Sequence, residues 1–210
     1  MIAVSVTYNE EDRLLVGAFD GLDRDAKKGE YWSDEALTAL KARVKSHYVA
    51  AQKYRCCYCD RHRPTDNQRE WDVEHVADRS KYPWFMFTPR NLAAACPECN
   101  GAKQAQETLS SVGRKTYPDK SSGFRIVHPH FDNYSEHIFR KGMVYLPKTT
   151  KGRKTIYMCN LLRFAEKHID WTNEATDIRF EAEVDAVFDG GGAVAQAAIE
   201  TIIARLPIPD

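Results

Sequence analysis

Apolar and polar positions alternate in recognisable periods along much of the chain. Leu37, Leu40, Val44, Tyr48 and Ala51 recur at three- and four-residue steps and form one stripe of a helix. Ser33 suits the N-cap of that helix, with Asp34 and Glu35 in a first turn that favours negative charge. A second helix is expected from a cap at Thr155, with Tyr157, Leu161, Phe164 and Ala165 on one face. A third is expected over 193–206, after the Gly190–Gly192 breaker and ending at Pro207. Short strands are expected at Trp71–Val76 and Leu92–Ala95, followed by a helix from Pro97 to about Glu107. Val4–Tyr8 alternates like a strand, but the acidic Glu10–Asp12 and the Asp/Gly/Lys cluster at 20–30 suggest an irregular lead-in. Residues 137–147 suit a hairpin around Lys141-Gly142. Residues 178–188 fit both periods, alternating as a strand yet placing Phe180, Val184, Val187 and Phe188 on a helix face; the helix is preferred. The polar segments 64–69 and 108–127 read as loops. Tyr82–Pro89 is an aromatic loop, better suited to plugging a small core than to stacking on bases.

Composition narrows the class. The chain has 210 residues, 43% hydrophobic and 29% charged, as in ordinary soluble globular proteins. No apolar run approaches the ~20 residues of a membrane span. The N-terminus lacks the basic and long apolar regions of a signal peptide, so the expected compartment is the cytoplasm. Six cysteines in a reducing compartment do not suggest disulfides. The zero net charge conceals a separation. Residues 104–154 hold 10 Lys and Arg against 4 Asp and Glu, whereas residues 155–210 hold 4 against 10. The middle of the chain could face a polyanion while the acidic end suits a protein partner better than DNA, although charge alone favours ordinary solvated faces.

Four of the cysteines carry the chemistry. Cys56/Cys59 and Cys96/Cys99 are two C-x-x-C pairs separated by 36 residues, and four thiolates match a closed tetrahedral zinc site. Such a site has no open coordination position, so its zinc is structural. Residues 53–63 look like a zinc knuckle. Cys57, inside the first pair, is a bystander or a replacement for Cys56 in a shifted register; Cys159 suits the core. His128-Pro-His-Phe-Asp132 and His137 offer ligands for a second metal, but the proline favours a structured turn.

Between and after the cysteine pairs stand Asp72-Val-Glu-His-Val76, Arg90-Asn91-Leu92 and Cys99-Asn-Gly-Ala-Lys103. Over residues 53–105 this arrangement resembles the His-Asn-His (HNH) endonuclease motif in its His-Asn-Asn form, on a ββα-metal fold. The resemblance implies His75 as the general base that activates water, and Glu74 and Asn100 as ligands of a catalytic Mg2+, which Mn2+ replaces. It implies that Asn91 orients the His75 ring, and that Arg79, Arg90 and Lys103 contact phosphate. In a regular strand Glu74 and His75 face opposite sides, so both reach one phosphate only if the strand ends or twists there. If it stays regular, Asp72 shares the Glu74 face and becomes a further candidate ligand of the metal. His128, Tyr134–His137 and Gly152-x-x-Thr155 are similar to the tail of HNH nucleases found beside ATPases in bacterial anti-phage systems of the Septu and retron type. That similarity implies antiviral defence with an ABC-type ATPase partner.

The expected fold class is α+β, a compact ββα-metal core with a structural zinc, set in a mostly α-helical surround. The expected regions are a lead-in and helix over 1–52, the nuclease core over 53–107, and a partner-docking helical region over 108–210. The expected function is metal-dependent hydrolysis of phosphodiester bonds in double-stranded DNA. A non-catalytic zinc-stabilised DNA-binding module is the alternative; it gives no reason for Glu74-His75 together with Asn91 and Asn100. A decayed nuclease acting only as an interaction subunit is disfavoured, because every motif position is filled.

Overall fold

The computed structural model describes residues 1–65, 67–168, 183, 186–187 and 191–205. Among these residues the fold is α+β, with seven α-helices and two small antiparallel sheets. The chain divides into two compact units, Met1–Ala165 and Glu166–Asp210. The break falls after Ala165, so residues 108–165 belong to the same unit as the cysteine pairs rather than to a separate lobe. No helix among the described residues is long and apolar enough to cross a membrane.

The first unit opens with an extended segment, not a strand, at Val4–Tyr8. Helix α1 follows at Glu10–Asp20, where an irregular lead-in was expected. Asn9 and Asp12 close a capping box at its start, satisfying backbone donors that a helix leaves orphaned. Asp12 is buried and ion-pairs with Arg43, which ties α1 to the helix that follows. Three 3-10 turns then lead to α2, Thr38–Ala51. Asp34, not Ser33, supplies the capping oxygen, accepting from the Ala36 N–H in the last 3-10 turn. The expected stripe is correct: Leu37, Leu40, Val44 and Tyr48 are all buried.

Strand β1 (Asp72–His75) pairs antiparallel with β2 (Leu92–Ala95), with His75 opposite Leu92 and Asp72 opposite Ala95. The Gln52 side chain bonds both polar groups of the Ala94 backbone and so satisfies the outer edge of β2. The aromatic loop joins the strands, and Tyr82, Phe85, Met86 and Phe87 are buried as the plug reading expects. Helix α3, Pro97–Lys103, begins with proline at a position needing no N–H and stops where Gln104 turns left-handed at φ 45°, short of Glu107.

The rest of the unit buttresses this core. After helix α4 (Tyr134–His137) comes the expected hairpin, β3 (Ile138–Lys141) and β4 (Val144–Pro147), turning at Gly142 with φ +58°. Tyr145 Oη donates to the Cys59 carbonyl at 2.9 Å and Arg140 to the Asp60 carbonyl at 2.9 Å, so the hairpin braces the first cysteine turn. Helix α5, Thr150–Met158, is capped by Thr149 rather than Thr155. Thr155 lies inside the helix, and its hydroxyl accepts from the Val127 N–H at 2.8 Å. Tyr157 is 81% exposed, off the buried face that holds Ile156 and Leu161. A Cβ at Gly152 would lie 1.9 Å from the His137 carbonyl oxygen, so only glycine lets α5 approach α4 this closely. Helix α6 is Arg163–His168. In the second unit, helix α7 spans Gly192–Arg205, close to the expected 193–206. The alternatives for 178–188 lie largely outside the described residues.

Candidate metal and catalytic site

Left-handed backbone at Lys53, Tyr54 and Asp60 folds the first C-x-x-C into a tight turn, and α3 carries Cys99 in its first turn. Cys56, Cys59, Cys96 and Cys99 are buried, and their sulfurs lie within 4.8 Å of one another. A zinc tetrahedron with bonds of ~2.3 Å holds its sulfurs about 3.8 Å apart, so this set fits the ion. Cys57 is outside the cluster, which settles the register in favour of Cys56. Burial pushes the Cys57 and Cys159 thiols well up, as suits inert core thiols. The Cys96 N–H donates to Cys56 Sγ at 3.3 Å and Arg163 Nη2 to Cys99 Sγ at 3.2 Å; such outer contacts offset thiolate charge. Arg163 was not expected from the sequence, because nothing local marks it as facing a cysteine 64 residues away.

β1 stays regular, so Asp72 and Glu74 share one face and His75 takes the other. Glu74 Oε1 lies 2.8 Å from Lys103 Nζ and accepts from Tyr58 Oη at 2.8 Å. Both members of the ion pair are 1% exposed. Burial pushes the Glu74 carboxyl up, while Lys103 and Tyr58 pull against that shift. Burial works against the Lys103 ammonium, but Glu74 more than offsets it and keeps the lysine protonated. Lys103 also donates to the His75 carbonyl at 3.1 Å. It is therefore an internal counter-ion to Glu74, not the expected surface contact for phosphate.

Asn100 turns elsewhere, donating to Asp72 Oδ2 at 2.9 Å. The structure thus does not bring Glu74 and Asn100 together as a cradle for Mg2+. A divalent ion at Glu74 would meet an ammonium already seated on the carboxylate. The implied Mg2+ pair does not fit these positions.

On the opposite face His75 is 5% exposed. Its Nε2 lies 3.1 Å from the Met86 carbonyl oxygen, which can only accept. Nε2 therefore carries the proton, and Nδ1 keeps its lone pair. Burial, then the nearby Arg79 and Lys103 charges, push the ring down to about 3, so it stays neutral near pH 7. The Trp32 ring stands edge-on to it, centroids 4.6 Å apart. Asn91 is fully buried, and its hydrogen bonds go to backbone rather than to the His75 ring. It accepts from the Ala77 N–H at 2.7 Å and donates to the carbonyls of Ala77 at 3.1 Å and Phe85 at 3.0 Å. Phe85 precedes Met86, whose carbonyl meets the His75 ring, so Asn91 bonds the residue next to that contact; the direct bond to the ring that an orienting role would use is not formed.

Arg79 is half-buried, with Nε donating to the Gly29 carbonyl at 3.2 Å. Arg90 is exposed, its guanidinium 5.5 Å over the Phe131 ring. The three histidines farther along form no metal cluster among the described residues. His128 Nε2 meets Tyr117 Oη at 2.8 Å, His130 Nε2 meets the Leu92 carbonyl at 2.8 Å, and Asp132 accepts from the His128 N–H. This is the structured turn. Tyr58, Trp32 and the Met86 carbonyl were not anticipated as parts of the site. Tyr58 sits between two motif cysteines, the only one of the three with a local signal. Compared with known proteins, the chain matches no family model, no curated protein and no solved structure.

Proposed function

We propose that this chain is an HNH-type endonuclease that hydrolyses phosphodiester bonds of double-stranded DNA, with His75 as general base. The observation that carries this reading is the 3.1 Å contact of His75 Nε2 with the Met86 carbonyl oxygen; because that oxygen can only accept, the ring proton is assigned to Nε2 and Nδ1 is left as a proton acceptor. The setting supports it, since β1 carries His75, the turn entering β2 carries Asn91, and α3 carries Asn100 directly after the second of two cysteine pairs suited to zinc. Nδ1 takes a proton from water as the water oxygen attacks phosphorus; the bond from phosphorus to the 3′-oxygen breaks, and that oxygen leaves with a proton from solvent. A pKa near 3 alone makes a weak base, but an anionic phosphate beside the ring favours the imidazolium and moves the value up. Arg79 and Arg90 are candidates to meet the phosphate backbone. No step is assigned to a divalent ion, because Glu74 and Asn100 do not converge on one.

The rival reading, a zinc-stabilised module that only binds DNA, has no use for a held histidine tautomer. The proposal extends to antiviral defence with an ATPase partner on the resemblance alone, and co-purification from the native host tests that extension. Plasmid incubated with the purified chain and its partner, in Mg2+ or Mn2+, is expected to be nicked. His75→Ala is expected to lower cleavage by at least a hundredfold, the usual scale of general-base loss, with zinc content unchanged at one per chain. Cleavage by His75→Ala at the wild-type rate would sink the assignment.

A further inference from the structure

A cleft about 350 Å3 in volume opens between residues 24–30 and the loop after β1. Arg24, Lys28 and Lys81 line it, with Trp84. All three cations are exposed and make no ion pair among the described residues. Asp25 and Glu30 also line the cleft, so its basic character is partial. Lys27 is committed to the carbonyls of Asp20 and Leu22.

Two features make this more than a solvated face. The Arg24 guanidinium lies 3.8 Å over the Trp84 ring, and Trp84 is itself fixed by donation to the Arg114 carbonyl at 3.1 Å. Stacking sets the plane of a guanidinium and leaves its edge N–H groups turned outward, the geometry that grips a phosphate. The cleft also adjoins the His75 site. Its lining residues Gly29 and Ser80 flank Arg79, whose Nε is bonded to the Gly29 carbonyl and whose charge acts on His75. A Cβ on Gly29 would lie 3.0 Å from Arg79 O and Ser80 Cα, so glycine permits this close approach.

We infer that this cleft binds the phosphodiester backbone of DNA and that Arg79 links it to the phosphate presented to His75. The inference rests on the nuclease reading for the second clause only. Arg24 grips one phosphate through its outward edge, and Lys28 and Lys81 neutralise neighbouring ones as point charges. The two acidic residues moderate the grip.

The test measures binding of the full chain to a labelled DNA duplex by fluorescence anisotropy, across a salt series and without added divalent ion. Arg24→Gln/Lys28→Gln/Lys81→Gln is expected to weaken binding at least tenfold. Its slope of log affinity against log salt should fall by about 2.7, since each phosphate contact contributes ~0.9. Lys115→Gln/Arg153→Gln/Lys154→Gln removes as much exposed charge elsewhere and is expected to change neither quantity. Asp25→Asn/Glu30→Gln is expected to tighten binding, a gain that misfolding cannot produce. The inference is overturned if the cleft variant binds like wild type, if both triple variants lose equally, if wild type binds no DNA, or if it binds only a matched RNA duplex. Loss of binding in the cleft variant while His75→Ala still cleaves would uphold the cleft and remove the assignment of His75 as general base.

Discussion

Glu74 and His75 are adjacent in β1, yet they meet different surroundings. Glu74 faces α3 and holds a lysine and a tyrosine, so its charge is spent inside the protein. His75 faces Trp32 and the aromatic loop and holds one carbonyl, so one ring nitrogen remains in reserve. Strand pleat produces the contrast, because neighbouring side chains leave on opposite sides. Residues that sit together in a motif can therefore serve separate ends, one cementing the fold and the other available for chemistry.

The contrast breaks first at the ion pair. Glu74→Ala leaves the Lys103 ammonium buried without its counter-charge, which typically costs about 3–5 kcal/mol. Glu74→Met/Lys103→Met replaces both charges with apolar chains of similar length and should recover most of that loss. Thermal or denaturant unfolding of the variants measures it. If Glu74→Ala is as stable as wild type and instead loses Mg2+ affinity, Glu74 is a metal ligand and the contrast between the faces fails.

Asn91 sharpens the other face. Asn91→Ala strips partners from one buried N–H and two buried carbonyls, at about 1–3 kcal/mol for an unsatisfied buried group. The expected net loss is about 3 kcal/mol, within the range for a broken buried network. A structural role alone would leave the His75 ring as it is. Nitrogen NMR of that ring should show the Nε2-protonated tautomer in wild type and a mixture in Asn91→Ala, with kcat reduced more than KM. An unchanged tautomer would reduce Asn91 to a fold residue.

What could be read in advance follows the range of each interaction. Cysteine spacing encodes a ligand set directly, and the Leu37–Tyr48 stripe encodes a buried helix face. Strand β2 is visible as the short apolar run Leu92–Ala95, and β1 as the short, partly alternating segment Trp71–Val76. The partner of His75 was not, because a backbone carbonyl at Met86 leaves no mark in side-chain pattern. Trp32 was hidden in an apparently irregular lead-in, where 3-10 turns have no long apolar period. Lys103 was misread because lysine is almost never fully buried unless paired, and its partner lies 29 positions away. The capping box at Asn9 and Asp12 is legible, but an acidic run such as Glu10–Asp12 suits a loop as well as the negatively charged first turn that it forms in α1.

The smallest expected effect concerns protons. The unfolded chain carries His75 near its ordinary value of 6.5, whereas the folded chain refuses the proton until about 3. Stability from this group is complete above pH 6.5 and declines as pH falls from there toward 3, because the unfolded state binds the proton first. Between pH 7 and pH 5 the loss from His75 alone is about 2 kcal/mol. His128 and His130 are pushed down by burial as well and add losses of the same sign. Unfolding free energies of wild type and His75→Gln, measured over pH 5–8, isolate the His75 share: the variant should have the shallower decline. Equal slopes would mean that the His75 face takes up protons as readily folded as unfolded, and the reserve of a neutral, oriented imidazole would be lost with it.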